Sequence, residues 1–136
     1  MKLLTVHPSF VDEAWFKDGA SCLARACEFS GGDVTGEQLK LLLSRGERTL
    51  IRMDVDGEAV GWGVTRIDQL PNIRVLHVCE MVAPGVHFER FFEQLKELAS
   101  KTGCSRIRCS CKPAQARLFK AKVGFQPVYE TLEVVL

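Results

Sequence analysis

The chain has 136 residues, 46% of them apolar and 8% aromatic, which suffices for one domain (1–136) with a core on both sides of a sheet and leaves no room for a second. Its 18 Lys and Arg against 17 Asp and Glu give a formal net charge of +1, so no bulk field selects nucleic acid, an anionic membrane or a polyacidic partner. No stretch approaches the roughly 18 apolar residues of a membrane span and the N-terminus has no secretory h-region, so a cytoplasmic protein is expected, with Cys22, Cys27, Cys79, Cys104, Cys109 and Cys111 as reduced, mostly buried thiols.

Leu3 to Val6 is a candidate first strand. Ser9 is placed to cap a helix with Asp12 and Glu13 in its first turn and Trp15, Phe16, Leu23 and Cys27 as later apolar positions, ending at Gly31-Gly32. Thr35 and Gln38 form a capping-box pattern ahead of Leu39, Leu42 and Leu43, and Gly46 stops that second helix. Thr49 to Val55 and Ala59 to Ile67 are β-rich and joined by Asp56-Gly57, the dipeptide that best supplies the positive φ angles of a tight hairpin.

A third strand is predicted over Arg74 to Val82. Phe88, Phe91, Phe92, Leu95, Leu98 and Ala99 then recur at helical spacing until Lys101 and Gly103. Ile107 to Cys111 is strand-like, Pro113 suits the first turn of a helix running to Val123, and Phe125 to Val135 reads as a long strand or split hairpin. The order α, α, β, β, β, α, β, α, β predicts an α/β (α+β) mixed sheet flanked by about four helices on both faces, with a parallel pair where strand, helix and strand succeed one another.

In that order the chain resembles the GNAT superfamily, the Gcn5-related N-acetyltransferases, over essentially its whole length. The hairpin Asp56-Gly57-Glu58-Ala59-Val60-Gly61 is similar to the family's turn into its third strand. Val82-Ala83-Pro84 resembles the Val-x-Pro that ends its fourth, and Ala116 to Phe125, with Phe119, Lys122 and Gly124, resembles its last helix and Gly-Phe exit. The resemblance implies acyl transfer from acetyl-CoA to a small-molecule or protein amine by direct attack.

It also assigns residues. The family's pyrophosphate loop, Arg-Gly-x-Gly-x-Gly or Ala, lays phosphates against free N–H groups at a helix start. Here the Arg position is His87 and the Gly positions are Phe88, Arg90 and Phe92, so the resemblance implies weakened acetyl-CoA binding at Val82, His87, Phe88 and Arg90. The family's Tyr acid aligns with Lys120 and its Asn with Pro113. A lysine has a pKa close enough to tyrosine's, about 10.4 against 10, to donate a proton, and it also suits a solvated helix face.

Glu80 stands near the family's usual carboxylate for the amine proton and has the strand parity of Arg74, Leu76, Val78 and Val82. An acid within an apolar strand is costly unless paired or functional, so its two readings are general base or structural partner of an arginine such as Arg106 or Arg108.

His77 with Cys79, and Cys109 with Cys111, invite a zinc reading, but the usual ligand spacing is missing and core thiols are expected, with no metal. Nothing local marks a cysteine nucleophile. Trp15 and Trp62 suit either a groove or the core, the core being expected. Arg106, Arg108, Lys112, Arg117, Lys120 and Lys122 form the one basic cluster open to nucleic acid. Two functions stay open: an N-acetyltransferase, and a non-catalytic GNAT-fold structural or protein-binding protein. For the second, Arg117-Leu118-Phe119-Lys120 is similar to internal virion proteins of T7-like phages, which would place the chain in a virion.

Overall fold

The computed structural model describes residues 1–136. Five strands, β1 (Lys2–Val6), β2 (Thr49–Val55), β3 (Glu58–Gln69), β4 (Arg74–Val82) and β5 (Arg106–Cys109), form one sheet in the order β1-β2-β3-β4-β5. The first four pair antiparallel, and β5 runs parallel to β4 after the crossover through α4 (Phe88–Lys101), as the alternation of elements predicts. The β2–β3 hairpin turns on Asp56 at φ 53° and Gly57 at φ 82°, two successive left-handed residues that give the turn the twist of its strands.

Each face of the sheet has its own core. On one, α1 (Val11–Phe16), α2 (Leu23–Cys27) and α3 (Gly36–Ser44) bury Val11, Trp15, Leu23, Leu39 and Leu43 against Leu50, Trp62 and Val64. On the other, Phe92, Leu95 and Ala99 of α4 pack on Leu76 and Val78 of β4, with Ile107, Cys109, Val123 and Phe125 at the margin. α5 (Pro113–Val123) leans on α4 through Phe119, whose ring lies 5.5 Å from Phe88 and 5.7 Å from Phe125.

Three expectations are corrected. The first helix is two, α1 and α2, because Gly19 takes φ 95° between them, a left-handed conformation that ends a helical run. With the chain broken there Phe16 is 75% exposed rather than in the core, and Lys40 lies over its ring. Ser9 does not cap α1: it lies inside a 3-10 turn, Pro8–Phe10, that His7 caps through Nδ1 accepting from the Ser9 N–H at 3.2 Å, and α1 then starts from Phe10 with no side-chain cap. Residues 125–135 form no strand. Gly124 at φ 74° closes α5, Pro127 brings no N–H, and Val128, Tyr129, Leu132, Val134 and Val135 stay exposed. β-branched residues become strand only where a neighbouring strand supplies bonds and packing, and the four-residue edge strand β5 is joined by none on its outer side.

The capping box of α3 is present in both directions: Gln38 N–H donates to Thr35 Oγ1 at 3.2 Å and Thr35 N–H to Gln38 Oε1 at 3.0 Å.

Candidate functional site

The register of β4 against β3 shifts by one residue. Val64 faces Glu80 while Thr65 faces Val78, so Cys79 is the extra residue of a β-bulge. A bulge re-aims the side chains beyond it. Leu76 and Val78 point to the α4 core, but Glu80 lies opposite Val64, on the face carrying α1 to α3. This corrects the strand parity read from the sequence: Glu80 does not share the face of Leu76 and Val78.

Glu80 is 8% exposed. Its partner is Arg48, whose Nη1 lies 3.5 Å from Oε1, rather than Arg106 or Arg108. The second carboxylate oxygen, Oε2, is buried and accepts no hydrogen bond from the protein. An ionised carboxylate with one long contact and one bare oxygen is poorly compensated. Burial accordingly pushes the Glu80 pKa up and Asp33 adds to the rise, while Arg48 and Arg66 pull the other way. The upward shift favours the protonated carboxyl over the carboxylate, the direction that suits a group receiving a proton.

The surroundings are sulfur and guanidinium. Cys79 Sγ sits 3.9 Å from Arg66 Nη1, and burial raises the thiol pKa of both Cys79 and Cys27, as it disfavours the thiolate. Neither is an activated nucleophile. Cys109 belongs to the opposite core and is pushed up to about 12, first by burial, so it shares no site with His77 and Cys79. No group of three His, Cys, Asp or Glu side chains converges as metal ligands. Trp15 and Trp62 lie in the core beneath α1 to α3, not along a groove.

The positions implied for acetyl-CoA run from the last residue of β4 into α4. Val82 is 39% exposed and is held beside Trp62. Gly61 permits this strand end to come close, since a Cβ there would stand 2.9 Å from the Val82 carbonyl oxygen and 3.2 Å from Ala83 Cα. A 3-10 turn, Gly85–His87, then leads into α4, and no side chain caps either the turn or the helix. The His87 and Phe88 N–H groups are already bonded within the turn, to the Pro84 and Gly85 carbonyls, so the exposed Arg90, which forms no ion pair, is the donor there suited to phosphate oxygens. His87 stands edge-on to Phe91 at 6.3 Å. Phe88 and Phe92 are occupied elsewhere: Phe88 stacks on Phe119, and Phe92 lies 5.4 Å from Phe125, filling the gap between α4 and α5 with aromatic rings. Lys120 is exposed on α5 and bonded to neither Glu80 nor any other carboxylate.

Two features of this site escape sequence reasoning. Arg48 lies 32 residues from Glu80, with no spacing to connect them. The bulge at Cys79 carries no glycine or proline to mark it.

No protein-family model matches the chain, and no curated protein matches it in sequence. Solved structures match it over nearly all of their length. One is a probable acetyltransferase, 16% identical over 100% of this chain and 97% of the other, with a TM-score of 0.70. A second is the ribosomal-protein-alanine N-acetyltransferase of Brucella melitensis biovar Abortus 2308, 13% identical over 100% of both chains, TM-score 0.68. A third is an aminoglycoside acetyltransferase from an uncultured soil metagenomic sample, 15% identical over 99% and 97%, TM-score 0.68. The chain therefore has the fold of the GNAT acetyltransferases.

Proposed function

We propose that the chain is an N-acetyltransferase in which Glu80 accepts the proton of the attacking amine. The observation that carries this reading is the bare, buried Oε2 of Glu80, re-aimed by the bulge of β4 within an acetyltransferase fold. Acetyl-CoA, when bound, supplies an acyl thioester whose C–S bond breaks as the amine nitrogen bonds to the carbonyl carbon. Arg48 holds Glu80 in place without engaging Oε2, which leaves that oxygen for the amine N–H or for one intervening water. The main chain at Val82 polarises the acyl carbonyl. The start of α4 holds the pyrophosphate through the side chains of His87 and Arg90, with Phe88 left to pack on Phe119, and Lys120 supplies a proton at Nζ on the leaving side.

The aromatic rings between α4 and α5 favour a second reading, a non-catalytic GNAT-fold protein, in which the same cluster of Phe88, Phe92, Phe119 and Phe125 serves packing alone. Calorimetric titration with acetyl-CoA separates the two. The enzyme reading expects saturable but weak binding, on the order of 100 μM, reduced by Arg90→Ala and not by Lys122→Ala. Absence of saturable heat up to millimolar acetyl-CoA would retire it.

A further inference from the structure

Beyond the helices, the α1 to α3 face of the sheet carries a row of cations. Arg66 of β3 is the register partner of His77 on β4, and His77 is the register partner of Arg108 on β5. Arg106 shares that face two residues earlier, and Arg48 reaches the same region from the segment before β2. Like charges side by side on a sheet destabilise it. In a chain of net charge +1 they also concentrate positive potential on one patch.

The local carboxylates neutralise only part of the row. Arg66 donates from Nε to Asp68 at 3.0 Å, and Arg48 makes its long contact with Glu80. Arg106 and Arg108 form no ion pair; the Arg108 guanidinium instead lies 5.9 Å from the centre of the Tyr129 ring. Burial, then Arg66, Arg48 and Arg108, push the His77 pKa down against the pull of Asp68, so the imidazole is neutral at pH 7 while the guanidiniums stay charged.

We propose that this row binds a carboxylate on the amine acceptor, so that the substrate class is an amine carrying a carboxylate several bonds away. The inference rests on the acetyltransferase reading of Glu80. Guanidiniums present paired donors that match a carboxylate, and His77 and Glu80 face Arg66 and Val64, two residues apart on β3, so they are separated by roughly 7 Å along the strand. An α-amino acid is too short to place its amine at Glu80 and its carboxylate at Arg66 and Arg108. A polycationic amine is repelled by the row. A nucleic-acid strand would have to pass Asp68 and Asp33, carboxylates that interrupt a track for a phosphate backbone.

The test uses the full chain with acetyl-CoA and straight-chain ω-amino acids from glycine to aminooctanoate, beside alkylamines of equal length. The longer ω-amino acids should exceed their alkylamine partners in kcat/KM by about tenfold or more, the scale of charged hydrogen bonds. Arg66→Gln or Arg108→Gln should abolish the preference through KM, with Arg106→Gln, at an exposed position, as the variant least demanding of the fold. Independently, glutarate added without acetyl-CoA should move the His77 imidazole resonances saturably, and not in Arg108→Gln. Equal kcat/KM for the two series, or a preference for polyamines, overturns the proposal, as does tighter binding of a short oligonucleotide than of glutarate at the same residues. Glutarate binding with no acetyl transfer to any amine upholds the anion site and overturns the reading of Glu80.

Discussion

Glu80 shows how one register shift changes the meaning of a residue. Strand alternation alone puts it among Leu76 and Val78. The extra residue at Cys79 puts it opposite Val64 and within reach of Arg48. Its raised pKa has a definite sign in stability. Between the ordinary carboxylate value and the raised folded-state value, the folded form holds a proton that the unfolded chain has released. Unfolding free energy therefore falls as pH climbs through that window and does not fall below it. Urea titrations at a series of pH values should show this slope in the wild type and its loss in Glu80→Gln; an unchanged slope contradicts the assignment. The same variant should cut acetyl transfer by roughly 10²-fold at neutral pH, the scale of a lost general base. Among the thiols, exposed Cys111 should react first with iodoacetamide at pH 7, well ahead of Cys79 and Cys109, whose thiolates burial disfavours. Equal rates would show that those burials are wrong.

The elements differ in how plainly their residues announce them. Gly36, at the start of α3, lies so close to α2 that a Cβ would stand 2.6 Å from Ala24 Cβ. Gly36→Ala should therefore destabilise by about 1–3 kcal/mol through overpacking, although alanine is the better helix former by about 1 kcal/mol. A gain in the urea midpoint would show that the two helices can separate without loss. The elements legible in sequence are those whose signals are local. The Thr35–Gln38 capping box, the Asp56-Gly57 turn, strand β4 and the apolar spacing of α4 all appear where expected. The first helix misleads because its apolar positions, Trp15 to Cys27, keep helical spacing across a break made by one left-handed glycine. The tail misleads because its strand-forming side chains meet no partner strand. The site is legible only by halves: Glu80 stands out as an acid in an apolar strand, but Arg48, the bulge and the Arg66–His77–Arg108 row exist only once strands are paired.

For the whole molecule, the arrangement is two cores on a five-stranded sheet, with Glu80 on the α1 to α3 side and the uncapped start of α4 beyond the end of the same strand. The fold alone does not decide chemistry. The aromatic filling between α4 and α5 argues for a weakened grip on acetyl-CoA, whereas the bare oxygen of Glu80 argues for a retained reaction. The central claim is that this scaffold still transfers an acetyl group, with Glu80 as base. The most direct measurement is mass-spectrometric detection of the N-acetylated product from saturating acetyl-CoA and aminohexanoate, with wild type and Glu80→Gln at equal concentration and matched thermal midpoints. The account predicts product that accumulates with the wild-type protein and falls by roughly 10²-fold with the variant. Product formed equally by both proteins, or by neither above the uncatalysed background, would contradict it.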